Sequence, residues 1–201
     1  MQTIRHTRVL SDEIWPAQGA ALALKRAALL ALGIALLALS AKIRVPLWPS
    51  PVPLTFGTFA VMLLGAAYGP RLGLATLLGY LGLGALGFDV FANSSATENG
   101  LSYMAGPTGG YLVGFVLASL ALGVAARRGW DRNVWRMALA MAIGNALIYA
   151  PGLLWLGHVY GWNKPILAWG LTPFLIGDAL KLALAAVLLP GVWRIVGRAR
   201  G

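Results

Sequence analysis

The sequence predicts an all-α integral membrane protein, a bundle of six transmembrane helices with both termini cytoplasmic, on three observations. Of 201 residues, 59% are hydrophobic and only 11% charged, whereas a soluble domain carries about a quarter charged residues. Apolar runs recur along the chain at lengths suited to a hydrocarbon core of about 30 Å. The basic residues gather on alternate connections between those runs, the asymmetry that orients spanning helices. The 26 Gly and 11 Pro fit the same class, because neighbouring helices and cavities satisfy the backbone groups they leave open.

In chain order, residues 1–20 form a cytoplasmic N-terminal tail, 21–197 a single membrane domain and 198–201 a C-terminal tail. The spans run Leu22–Ala41, Leu54–Tyr68, Leu72–Phe88, Pro107–Ala126, Val134–Val159 and Pro173–Val196. The second and third are short for a helix rising about 1.5 Å per residue. They are joined only by "YGPRLG" (Tyr68–Gly73), a tight turn with Pro70 and Arg71 that predicts a helical hairpin. This arrangement places twelve basic residues inside: Arg5, Arg8, Lys25, Arg26, Arg71, Arg127, Arg128, Arg132, Arg136, Arg194, Arg198 and Arg200. Only Lys42, Arg44 and Lys164 fall outside, and Lys181 lies within a span. Lys25-Arg26, the apolar run Ala27–Leu39 and "ALSA" (Ala38–Ala41) also have the layout of a signal peptide. We read that segment as a retained span, and the mass of the mature chain distinguishes the two.

Several function classes fall away. Zero Cys excludes disulfides, thiolate metal sites and cysteine nucleophiles. His6 and His158 are far apart, so no histidine metal or haem site is expected, and no cofactor. The net charge of +10 reflects membrane topology rather than a nucleic-acid partner; the expected surroundings are membrane lipid.

The chemistry concentrates in a few motifs. In "LTPFLIGDALKLALAAVLLP", Asp178 and Lys181 interrupt an apolar span three residues apart, so both lie on one helix face. Each charge costs roughly 3 kcal/mol or more at the centre of a span. The pair serves either as a structural ion pair or as the polar end of a binding site or proton relay. "KIRVPLWPSPVPLTFGTF" (Lys42–Phe59) holds prolines 46, 49, 51 and 53, which keep the chain extended. It predicts a semi-rigid external flap in which Trp48 either anchors at the interface or covers a cavity, with Lys42 or Arg44 able to attract an anion. "GPTGGY" (Gly106–Tyr111) opens the fourth span. Its glycines allow close backbone approach, and its N–H groups can bind polar atoms. It lacks GxxxxGK[ST], so it is no nucleotide loop. Asn145 and Tyr149, at i and i+4 in the fifth span, either line a pocket or hydrogen-bond a neighbouring helix. Ala27, Ala31 and Ala35 make a small-residue stripe on the first span, suited to close helix packing.

Together these segments resemble the BioY family of biotin transporters, the membrane-embedded substrate-binding subunits (S components) of energy-coupling factor transporters. The likeness runs from about Ala28 to Gly191 through "VPLWPSPVPLT" (Val45–Thr55), "YGPRLGLAT" (Tyr68–Thr76), "AGPTGGYLVGF" (Ala105–Phe115), "IYAPGLLWL" (Ile148–Leu156) and "PFLIGDALKLALAA" (Pro173–Ala186). One departure is Gly57, where many members are expected to carry glutamine. The resemblance implies a non-enzymatic six-helix protein of the bacterial cytoplasmic membrane that binds biotin. Asp178 and Lys181 would engage the ureido ring, aided by Asn145 and Tyr149. Gly106, Pro107, Thr108, Gly109, Gly110 and Tyr111 would form one wall, and Phe91 and Trp48 would pack on the thiophane ring and valeryl chain. It also implies a transmembrane coupling subunit and a pair of ATPases as partners, docking on Ala27, Ala31 and Ala35. A proton-coupled carrier and an intramembrane enzyme using Asp178 and Lys181 are the alternatives.

Overall fold

In lipid, apolar stretches satisfy their backbone groups by coiling into helices, and this chain does so. The computed structural model describes residues 8–95 and 98–198. The ends of both expected tails, with Arg5, His6 and Arg200, lie outside the described residues. The helices are α1 (Leu10–Ile14), α2 (Gly19–Lys42), α3 (Gly57–Ala85), α4 (Gly100–Ala105), α5 (Gly109–Arg127), α6 (Val134–Tyr160), α7 (Ile166–Gly170) and α8 (Leu175–Arg198). Two short strands, β1 (Arg44–Val45) and β2 (Leu54–Thr55), pair antiparallel with Arg44 opposite Thr55.

Among the described residues, five helical stretches are long and apolar enough to cross a membrane: α2, α3, α5, α6 and the run Ile166–Gly197. The sequence predicts six spans, and the difference lies in α3. Its 29 residues are broken at Gly69, which adopts φ 77° and ψ 176°, followed by Pro70. A Cβ at Gly73 would sit 3.3 Å from the Gly65 Cα, although eight residues of straight helix span about 12 Å. The chain therefore reverses at Gly69, and "YGPRLG" makes the hairpin turn its residues predict.

α5 packs into that hairpin. Cβ atoms built at Gly65 and Gly123 would meet the Ser119 backbone and the Gly69–Pro70 peptide at under 3 Å, so glycine is what permits the close approach. α3, α5 and α6 make the centre of the bundle, flanked by α2 and α8. α6 starts cleanly because the Asn133 side chain accepts from the Arg136 N–H at 3.1 Å. α2 is the helix most open to lipid; it buries Gly33, Leu37, Ser40 and Ala41 along one narrow edge. Within the expected N-terminal tail, part of the chain packs on the bundle: α1 follows Val9, which is fully buried, and its Leu10 and Ser11 are buried too.

Candidate ligand-binding site

The local sequence of α8 sets Asp178 and Lys181 one turn apart, and the flap brings the rest. Lys181 Nζ donates to Asp178 Oδ1 at 3.0 Å, to the Thr55 carbonyl at 2.7 Å and to Thr58 Oγ1 at 3.0 Å. All three donors of the ammonium are thereby spent. Tyr149 Oη donates to the other Asp178 oxygen. Asp178 is 4% exposed and Lys181 7%, so this is a buried, fully hydrogen-bonded pair. Each carboxylate oxygen keeps a second lone pair.

Both charged side chains line a cavity of about 60 Å³. Its walls are otherwise mostly apolar: Val52 and Leu54 of the flap, Tyr111 and Phe115 of α5, Tyr149 of α6 and Phe174 before α8. Phe91 seals another side. It stacks on Tyr103 at 4.9 Å between ring centroids and meets Tyr80 edge-on at 5.4 Å. Thr108 Oγ1 also lies at this wall, buried and without a hydrogen-bond partner among the described residues. The arrangement suits a small molecule with an apolar body and a compact polar head carrying N–H donors.

A model of the BioY family matches residues 12–198. The chain belongs to the BioY family. Among its relatives, the probable biotin transporter BioY of Pyrococcus horikoshii is 38% identical over 164 residues, covering 82% of this chain and 93% of that protein. The biotin transporter BioY of Thermotoga maritima is 35% identical over 154 residues, covering 77% and 87%. A crystal structure at 2.1 Å of the S-component for biotin from an ECF-type ABC transporter shares the fold. It matches with a TM-score of 0.75 at 20% identity, covering 89% of this chain and 95% of that one. Like its BioY relatives, this is a multi-pass membrane protein.

Of the residues that the BioY motifs single out, Asp178, Lys181, Tyr149, Tyr111, Thr108 and Phe91 meet at the cavity. Trp48 does not. It stands 95% exposed in the turn at Trp48–Pro49, while its neighbour Leu47 packs inward. Val52 takes the inner position. Asn145 is half-buried one turn from Tyr149 and does not line the cavity. Gly109 and Gly110 act as packing points instead: a Cβ at Gly110 would overlap the Pro151 carbonyl, and one at Gly109 the Met104 carbonyl. The Gly106 carbonyl accepts from Trp155 Nε1 at 2.8 Å, and neither it nor Pro107 reaches the cavity lining. Gly57 does line it without contributing a side chain.

Lys42 and Arg44, the sequence's candidates for attracting an anion, are engaged elsewhere. Lys42 pairs with Asp89 and Arg44 donates to Asn93, which ties the flap to the following loop. The Asp89 carboxyl is accordingly held below the usual carboxylate range by Lys42 and Ser94. Sequence reasoning missed Thr55, Thr58, Tyr80 and Tyr103. The only available signal was the i, i+3 spacing of Thr55 and Thr58 in "LTFGT", which nothing local ties to Lys181.

Proposed function

We propose that this chain binds biotin and carries out its uptake as the substrate-binding subunit of an energy-coupling factor type transporter. One observation carries the reading: Asp178, clamped by Lys181 and Tyr149, offers its unspent lone pairs to an otherwise aromatic and aliphatic cavity. A cyclic urea presents N–H donors to that carboxylate, and its carbonyl can accept from the unpartnered Thr108 hydroxyl. The thiophane ring and valeryl chain find Phe91, Tyr111 and Phe174. Lys181 holds the carboxylate aimed, since its own donors are taken. Ligand pockets occupy about 300 Å³ or more, so a cavity of about 60 Å³ loads only when the flap and the Phe88–Ser95 segment yield.

On this reading the two legs of α3 count as separate crossings, making six in residues 21–197 with both termini cytoplasmic. The excess of Lys and Arg on that side supports the orientation. The partners are a transmembrane coupling subunit and a pair of ATPases. Ala27, Ala31 and Ala35 are all exposed, so the bundle leaves the stripe free for such a partner, in the cytoplasmic membrane.

Calorimetric titration of the purified protein with biotin tests the proposal. Tight binding is expected, with Asp178→Asn losing most of the affinity and Trp48→Ala none. Unchanged binding by Asp178→Asn rejects the site. Recovery of chemically altered biotin points to an enzyme, and proton-driven uptake by vesicles lacking any ATPase to a carrier.

A further inference from the structure

A second charged region lies at the other end of the bundle, on the membrane face that carries the basic loops. There α2 and the second leg of α3 part to leave a groove of about 430 Å³. Four cations border it, Lys25, Arg26, Arg71 and Arg127, against one carboxylate, Asp12 of α1. Asp12 is already divided, with one oxygen 3.5 Å from Lys25 Nζ and the other 3.3 Å from Arg127. Arg26 and Arg71 have no acidic partner among the described residues.

Lys25 is the informative member. Its residue is 3% exposed, yet among the described residues its ammonium has that single long contact. Two of its three N–H groups are unspent, which is costly for a buried cation. An anion with several acceptor oxygens, placed between Lys25, Arg26 and Arg71, would satisfy them.

Depth and wall chemistry say which anion. Between Arg26 and Lys42, α2 has no charged residue, and those sixteen steps rise about 24 Å. Lys25 and Arg26 therefore sit where hydrocarbon meets headgroups. Beside the cationic rim the groove is mostly apolar, walled by Leu22, Ala27 and Leu30 of α2 and Leu72 and Ala75 of α3, so it adjoins the alanine stripe at Ala27. Trp15, at the C-terminal end of α1, is 45% exposed, as an interfacial aromatic is. We propose that this groove is a binding site for an anionic phospholipid. The phosphodiester would lie among Lys25, Arg26 and Arg71, and an acyl chain along the Leu22–Leu72 wall. Basic pockets between spanning helices recognise anionic headgroups in this way. A free phosphate would use the rim and leave the apolar wall unexplained.

Native mass spectrometry of the full chain in detergent tests this, with phosphatidylglycerol and phosphatidylcholine of identical acyl chains. Phosphatidylglycerol should be retained preferentially. Arg26→Gln/Arg71→Gln should lower that retention roughly thirtyfold, and Arg136→Gln/Arg194→Gln, exposed on the same face, should leave it unchanged. All four residues are exposed, so folding is not at stake. Equal retention of the two lipids, equal loss in both double variants, or displacement of the lipid by millimolar inorganic phosphate would each overturn the proposal. The readout does not involve biotin, so it stands or falls apart from the transport reading.

Discussion

The charges at the two ends of the bundle are handled in opposite ways. Around Asp178 and Lys181 one acid meets one base, and every ammonium proton has an acceptor within 3.0 Å. Around Lys25 four cations border one carboxylate, and among the described residues the buried ammonium has one partner at 3.5 Å. The first region is complete before any guest arrives, so it can present a fixed carboxylate to a ligand. The second is incomplete within the protein, so its completion is assigned to the membrane. A charge kept in a lipid-embedded helix thus says little until its partners are counted.

Breaking the complete pair should give the largest effect. Lys181→Met leaves the Asp178 carboxylate buried and uncompensated, which should destabilise the fold by about 3–5 kcal/mol and abolish biotin binding. The double variant Asp178→Asn/Lys181→Met should recover most of the thermal stability and none of the binding. Recovery of binding as well would mean that the pair is structural only.

Next in size is the packing that shapes the cavity. A Cβ at Gly84 would overlap the Phe91 ring, so Gly84→Ala should cost about 1–3 kcal/mol and weaken biotin binding. Gly82→Ala, which meets nothing within 4 Å, is the matched control in thermal denaturation and should change neither property.

Asp131, in the turn between α5 and α6, is an intermediate case. It is 1% exposed and accepts from Trp193 Nε1 at 2.6 Å, while its other oxygen has no partner among the described residues. Burial pushes its carboxyl above the ordinary value of 3.8. A raised folded-state value means that stability is fully present below 3.8 and declines as pH rises through the folded value. Asp131→Asn keeps an acceptor for Trp193 and removes the charge. Its melting temperature should exceed that of the unmodified chain at pH 7 and lose that advantage in acid.

The smallest effect should come from the groove. Lys25→Met replaces a buried, poorly satisfied cation, with one long contact to Asp12, by an apolar side chain, so it should leave the melting temperature nearly unchanged or raise it. If its melting temperature falls as far as that of Lys181→Met, the contrast between the two regions is wrong.

Much of the architecture was legible in advance because it depends on local pattern. The apolar runs, the reversal at Gly69-Pro70 and the i, i+3 charges on α8 need no knowledge of distant residues. Tyr149 was legible too, as a phenol placed one turn beyond Asn145. Trp48 misleads for a physical reason: it falls in a turn of the flap that points it outward, and Leu47 and Val52 fill the interior instead. The fold of residues 8–18 was hidden because its burial depends on surfaces of α3 and α8 that the segment itself does not encode.

By itself, then, the sequence determined the solvent, the helical pattern and the presence of charges that lipid does not tolerate unpaired, since hydropathy and helical spacing act over a few turns. Only tertiary structure decided who satisfies those charges. Thr55 and Thr58 reach Lys181 across 126 and 123 residues of chain, and Asp12 reaches Arg127 across 115. Electrostatic compensation depends on distance in space, and at such separations along the chain nothing in the spacing of residues reports it.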